Sequence, residues 1–220
     1  MTEFNDVKQT ESLDSGLYYD AVKRLFDLVF SSCVIVVAFL PCLALSIVIA
    51  LQTHGSPFYK QQRLGLNGRH FPLIKFRSMV SDADNVEKYL SADQLKQWKK
   101  ERKVDNDPRI TPIGRFIRKT SLDEIPQFLN VFIGQMSVVG VRPIVDEELE
   151  VYGDQADKFL SRKPGITGWW QVTARNNATY ENGERQKLEL YYVDNASLAI
   201  DIKVFLKTFS VMFGKDKTGR

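Results

Sequence analysis

Hydrophobic and polar positions are spread very unevenly along this chain. From Leu28 to Leu51 there are 24 consecutive residues without a charge, including the run Cys33 to Leu40 and the run Leu43 to Leu51. At ~1.5 Å per residue such a helix reaches about 36 Å, against a hydrocarbon core of roughly 30 Å. A buried core helix this long would normally keep a polar face. A signal peptide is disfavoured, because a mixed-charge stretch precedes the segment and no small-residue cleavage site follows it. The pattern points to membrane insertion.

Both flanks are basic: Lys8, Lys23 and Arg24 before the segment, and Lys60, Arg63, Arg69, Lys75 and Arg77 after it. Basic flanks favour the cytoplasmic side, so a straight span goes against that preference at one end. Pro41 divides the segment into 13 residues (Leu28 to Leu40) and 10 residues (Cys42 to Leu51). Each half is about 15–20 Å long as helix, enough to reach mid-bilayer and return. A proline also deletes one backbone hydrogen bond and clashes with the carbonyl four residues earlier, here that of Val37. Flank charge alone leaves two readings open, a re-entrant helix broken at Pro41 and a kinked spanning helix. Cys33 and Cys42, both inside the segment, read as small apolar packing residues.

Elsewhere the pattern is that of a globular domain. Residues 1–17 are polar without periodicity and read as a flexible tail. Ser56 to Arg77 alternates apolar residues between turn signals, as a short β-hairpin does. Asp82 to Lys103 reads as a charged surface helix, ended by Asn106-Asp107-Pro108. An α-rich section follows from Thr120, then a loop rich in glycine and aromatics from Lys163 to Asn177, then a last helix from Ile200 to Phe213. That helix could bury its apolar side in the protein or lay it on a membrane surface. The fold class expected is helix-rich α+β. Residues 18–52 would form the membrane helix hairpin, and residues 53–220 a cytoplasmic catalytic domain with a short β-hairpin.

Composition adds exclusions. The chain has 220 residues, 44% hydrophobic and 26% charged, which suits one domain, or one domain with an appendage, and excludes a disordered or multi-pass membrane chain. A net charge of +3 does not mark a nucleic-acid binder. Two cysteines and two histidines are too few for a disulfide scaffold or a closed zinc site. Chemistry here must rest on carboxylates, arginines and a hard cation.

The richest local constellation runs from Arg115 to Pro126. Ile125, Phe128, Leu129 and Phe132 recur at helical spacing. Pro126 belongs in a first turn, so a helix is expected to start near Ser121 to Asp123. Asp123 and Glu124 then stand at its positive end, where the dipole favours their ionised forms. Ser121-x-x-Glu124 is equally a capping box, and the local pattern alone favours that reading. The surrounding charge shifts the balance. Arg109 to Lys119 holds four basic residues and no acid, and Lys60 to Arg77 holds five and no acid. Basic residues around a helix start suit phosphate, and carboxylates placed there must bind a cation or attack phosphorus.

Taken together, the motifs resemble the bacterial sugar transferase family, the monotopic polyprenyl-phosphate phosphoglycosyl transferases. The matching pieces are Lys23-Arg24-Leu-Phe-Asp27, Gln62-Arg63-Leu-Gly65, Lys75-Phe-Arg77-Ser-Met79, Ser121-Leu-Asp123-Glu124-Ile-Pro126-Gln127, Met136-Ser-Val-Val-Gly140-Val-Arg142-Pro143, Pro164-Gly165-Ile-Thr-Gly168-Trp169 and Asp201-Ile-Lys203. The chain departs from the family at Val141, where a proline is usual, and at Gln135, Trp170, Thr173 and Ala174.

The resemblance implies the re-entrant form of the membrane helix and a ping-pong reaction at the cytoplasmic face of the bacterial inner membrane. Asp123 would attack the β-phosphate of a UDP-sugar, release UMP and hold the phosphosugar, with Glu124 assisting. Undecaprenyl phosphate would then accept it, in the first membrane step of exopolysaccharide or capsule synthesis, with galactose or glucose as the sugar. Mg²⁺ would be the cofactor, held by Asp123 and Glu124. Arg118 and Arg142 would bind phosphate, and Pro143 and Arg175 the nucleotide. Membrane lipid, downstream glycosyltransferases and a homodimer are the further partners, and no nucleic acid is expected. Relatives often carry an N-terminal bundle of membrane helices, and this chain reads as the catalytic module nearly alone. Two other classes compete: a membrane-anchored adaptor that binds anionic lipid without catalysis, and a carboxylate-pair hydrolase. Adjacent carboxylates sit poorly across a glycosidic bond, where about 5–9.5 Å is needed.

Overall fold

The computed structural model describes the backbone of residues 2–101, 104–174 and 182–213, and the side chains of 16–99, 104–174 and 182–211. In chain order the elements are α1 (Thr2–Thr53), β1 (Phe58–Leu64), β2 (His70–Phe76), α2 (Val86–Tyr89), α3 (Ala92–Glu101), α4 (Pro112–Lys119), α5 (Gln127–Phe132), β3 (Ser137–Val139), α6 (Asp146–Leu149), α7 (Ala156–Leu160), β4 (Gly165–Thr167), α8 (Trp169–Thr173), α9 (Glu184–Asn195) and α10 (Leu198–Phe213). This is the helix-rich α+β class, with β1 pairing β2 and β3 pairing β4. The expected hairpin is present, and its turn places Asn67 (φ 54°) and Gly68 (φ 73°) in the left-handed region.

α1 departs from expectation at two points. It begins at Thr2, inside the stretch read as a flexible tail, and helix continues through Pro41, where two separate helices were expected. One missing amide removes one hydrogen bond, and the bonds on either side carry the helix across it. Within α1, Gly16–Thr53 is long and apolar enough to cross a membrane, and only 6% of its most apolar 18-residue window is buried. Val37 is 80% exposed and Leu40 72%. Cys33 is exposed and so does no packing, while Cys42 packs against the core of the second unit described below.

The chain divides into two compact units. The first comprises Met1–Val36, Gln62–Leu73 and Gln127–Thr218. Its core is built around the parallel pair β3–β4, in register Ser137↔Gly165 and Val139↔Thr167. Val131, Met136, Val138, Val141, Ile144, Phe159, Tyr192 and Val204 pack there. All three residues of β3 are buried, as a strand covered on both faces requires. Gly140 allows the close approach of the two segments, because a Cβ there would lie 2.4 Å from the Lys163 carbonyl oxygen. The stretch expected to be a loop, Lys163 to Asn177, thus contains β4 and α8.

The residues of the Lys23-Arg24-Leu-Phe-Asp27 motif fasten α1 to this core. Asp27, buried, accepts hydrogen bonds from Ser137 Oγ at 3.0 Å and Val138 N at 2.8 Å. Arg24 donates to the carbonyls of Val131 and Phe132, both at 2.8 Å, at the C-terminal end of α5, where carbonyls lack partners. Lys23 pairs with Asp201 at 2.6 Å, and Tyr19 and Tyr192 donate to the same carboxylate at 2.9 and 2.7 Å.

The second unit comprises Val37–Gln61 and Ile74–Pro126. Its smaller core is Ile49, Phe76 and Ile117, with Leu45, Ile113 and Leu122 packed against it. The charged stretch after Asp82 forms two helices, α2 and α3, separated at Leu90-Ser91, rather than one. α4 starts where Thr111 Oγ1 accepts the Gly114 amide at 3.0 Å, with Pro112 in the first turn.

Candidate active site

Asp123 and Glu124 lie in a 3₁₀ turn, Leu122–Glu124, between α4 and α5. The α-helix expected to begin near Ser121 to Asp123 begins instead at Gln127. Ser121 adopts a left-handed backbone (φ 56°) and makes no capping hydrogen bond, so the capping box is not formed. The turn closes through Glu124 N to Ser121 O at 3.3 Å and Ile125 N to Leu122 O at 3.2 Å. The dyad is therefore displayed by a tight turn rather than spent on holding a helix end.

Its electrostatics differ from the dipole expectation. Burial and the neighbouring Glu124 carboxylate push Asp123 above the usual carboxylate range, and Lys75 and Arg118 pull against them. Asp123 forms no ion pair within 4 Å among the described residues. Glu124 meets Lys75 Nζ at 3.7 Å, a loose contact between partly exposed groups. Arg118, on α4, orients its guanidinium through Nε to Ser78 Oγ at 2.8 Å.

Ser78 is in turn fixed by α4. The Thr111 amide donates to the Ser78 carbonyl at 3.1 Å, and a Cβ at Gly114 would lie 1.8 Å from that oxygen. Only glycine lets α4 pass so close. Nearby, the Val80 amide donates to the Arg109 carbonyl at 2.9 Å, and Arg109 is locked to Asp107 by Nη2–Oδ2 at 2.6 Å and Nε–Oδ1 at 2.9 Å. Both members of that pair are buried. Arg109, one of the four cations read as a phosphate-gathering stretch, is thus a scaffold residue. Lys75 and Ser78 had no role assigned from sequence. The acid-free run Lys60 to Arg77 was a signal for Lys75, and both residues lie in the motif Lys75-Phe-Arg77-Ser-Met79, which named them without a role.

The other expected site residues belong to the first unit. Arg142 follows β3, and its amide donates to Glu189 Oε2 at 3.3 Å while its guanidinium lies 5.6 Å from the Trp170 ring centroid. Pro143 is held through its carbonyl, which accepts from Arg63 Nη1 at 3.3 Å. Val141, at the position where a proline is usual, is buried, and its carbonyl accepts the Gly165 amide at 2.7 Å. That bond and the Glu189 contact pin the Arg142 turn without the proline. Glu189 is completely buried, and burial pushes its carboxyl up to about 7 against the pull of Arg185 and Arg142. Arg175 lies outside the described residues.

Among the described residues, no group of three or more His, Cys, Asp or Glu is placed to hold a metal ion. The Asp123–Glu124 pair nevertheless suits Mg²⁺, which takes one or two protein carboxylates and completes its shell with water and substrate phosphate.

The chain matches known proteins over nearly its whole length. Residues 18–215 match the family described as bacterial sugar transferase. Over 198 residues the chain is 44% identical to the UDP-galactose-lipid carrier transferase of Erwinia amylovora, covering 89% of this chain and 41% of that protein. The same figures hold for the undecaprenyl-phosphate galactose phosphotransferase of Salmonella typhimurium. The chain thus spans about two fifths of the length of these relatives. Over 190 residues it is 41% identical to the exopolysaccharide production protein ExoY of Rhizobium meliloti, covering 84% of this chain and 83% of that protein. The chain belongs to the bacterial sugar transferase family.

Proposed function

We propose that this protein transfers a sugar 1-phosphate from a UDP-sugar to undecaprenyl phosphate, giving undecaprenyl-diphosphate sugar and UMP. The observation that carries the reading is the Asp123 turn: a partly buried carboxylate, unpaired at close range, with Lys75 and Arg118 beside it. Asp123 attacks the β-phosphorus, the bond from that phosphorus to the bridging oxygen breaks, and UMP leaves with the electron pair. An oxygen of undecaprenyl phosphate then attacks the same phosphorus and releases the carboxylate. An anionic nucleophile approaching a pyrophosphate needs fixed cations, which Lys75 and Arg118 supply and to which Arg142 adds by resemblance. Asp123 and Glu124 would hold Mg²⁺, which when bound offsets phosphate charge.

Galactose is supported by the names of two relatives, with glucose as the alternative. Membrane insertion is supported by the apolar stretch of α1 left uncovered by protein, exopolysaccharide or capsule priming by the name of the Rhizobium meliloti relative, and the inner face by the resemblance. Leu129, Phe132 and Ile133 on and just after α5, and Ile202, Leu206 and Phe209 on α10, are also exposed. In α5, Gln127, Asn130 and Val131 are buried, Asn130 donating to the Pro72 carbonyl at 2.8 Å, Phe128 packs against the core, and Leu129 and Phe132 face out. A panel of UDP-sugars tested with undecaprenyl phosphate, detergent and Mg²⁺ should release UMP and form the lipid-linked sugar, fastest with UDP-galactose or UDP-glucose. Free sugar without UMP would mark a hydrolase, and no turnover of any donor would leave the adaptor reading.

A further inference from the structure

The first unit encloses a cavity of about 370 Å³ whose charged lining is Asp20, Lys23, Arg24, Asp27, Arg162 and Lys163. None of these residues has a part in the sugar transfer proposed above. Four cations face two carboxylates, and the carboxylates are not equally available. Asp27 is turned into β3, where it accepts from Ser137 and Val138. Asp20 is exposed at the rim.

The cations divide as well. Lys23 is matched by Asp201, and Arg24 is spent on the α5 carbonyls. Arg162 only stacks over the Tyr19 ring, 5.6 Å from its centroid, and Lys163 has no hydrogen-bond or ion-pair partner among the described residues. Both are half-buried. Burial and Arg24 press Lys163 below the ordinary lysine range, against the pull of Asp27 and Asp20. The volume is that of a small-molecule site rather than a simple-ion site. Its position adds a direction: Arg24 stands four residues before Leu28, where the charge-free stretch of α1 begins.

We propose that this cavity binds a phosphate group, with Arg162 and Lys163 as its charge-bearing donors and Lys23 and Arg24 as fixed walls. Two sources share that chemistry, the headgroup of an anionic phospholipid and a free phosphate in solution. The phosphate oxygens accept from the guanidinium and the ammonium, so the two partly buried cations gain the partner they lack.

The full chain, purified in neutral detergent, would be titrated calorimetrically with inorganic phosphate, with dioctanoyl phosphatidic acid, and with dioctanoylglycerol as the same lipid without phosphate. Binding of either phosphate probe, absent for dioctanoylglycerol, is the expected result. Phosphatidic acid alone would assign the lipid source, and inorganic phosphate alone the soluble one. Arg162→Gln and Lys163→Gln should each weaken that binding by about tenfold, the scale of one charge-assisted hydrogen bond. Asp20→Asn, at an exposed position that packing does not constrain, should tighten it, and this opposite sign is readable even if both cation variants fail to fold. Binding of neither phosphate probe would overturn the proposal. So would equal binding of dioctanoylglycerol, or affinities unchanged in Asp20→Asn and the cation variants.

Discussion

Asp123 is subject to opposing influences, since burial and Glu124 favour its protonated form while Lys75 and Arg118 favour the anion that attack requires. The raised pKa has a direct kinetic sign. Activity that depends on the carboxylate should fall on acidification at a pH above the range of an ordinary aspartate, near ~3.9. Lys75→Met removes one of the lowering charges and should move that acid limb to higher pH, read as kcat/KM for UMP release across pH. Glu124→Gln should cost less than Asp123→Asn if it only assists. Arg142→Ala should raise the barrier by roughly 2–4 kcal/mol, the scale of losing one preorganised charge-stabilising donor. Glu189 gives a stability prediction of the other kind. Its folded-state pKa of about 7 stands above the ordinary 4.5, so the native state binds more protons between those values. Stability therefore declines as pH rises through that window, by about 3 kcal/mol at most. Glu189→Gln should flatten the dependence of Tm on pH between about 4.5 and 7. An unchanged slope in that variant would remove Glu189 as its source.

At the scale of elements, the sequence was most legible where one local pattern dominates. The β1–β2 hairpin follows from alternation and the Asn67-Gly68 turn, and the apolar length of α1 from composition alone. It was misleading around Ser121, where a capping-box spacing sits on a left-handed residue that cannot cap, and in α5, where the bond to the Pro72 carbonyl draws Asn130 inward. The motif Lys23-Arg24-Leu-Phe-Asp27 was recognisable, but its physical work was not. Asp27 reaches partners more than a hundred residues away, and no local spacing encodes that. The membrane arrangement of α1 makes its own prediction. If both basic flanks lie on the cytoplasmic side, single cysteines placed at Ser12 and Ser56 in a chain lacking Cys33 and Cys42 should be shielded alike from an impermeant thiol reagent outside the cell. Labelling of one and not the other would exclude the re-entrant arrangement. Pro41→Leu should favour a continuous span and carry the tail outward.

Over the whole molecule, the carboxylates and the cations next to them are placed by different parts of the sequence: a turn after α4, a strand of the hairpin, and a loop pinned by Gly114. The sequence therefore named Asp123, Glu124 and Arg118 through resemblance, while the anchoring role of Ser78 and the Asp107–Arg109 lock emerged only from packing. The central claim is that Asp123 is a nucleophile rather than a structural residue. The most direct measurement is the intact mass of the enzyme incubated with UDP-sugar and Mg²⁺ in the absence of lipid acceptor. A gain of one phosphosugar with about one UMP released per enzyme is expected, both lost in Asp123→Asn without a large drop in Tm. Substantial turnover by Asp123→Asn, or UMP release with no mass gained on the wild-type protein, would contradict that claim.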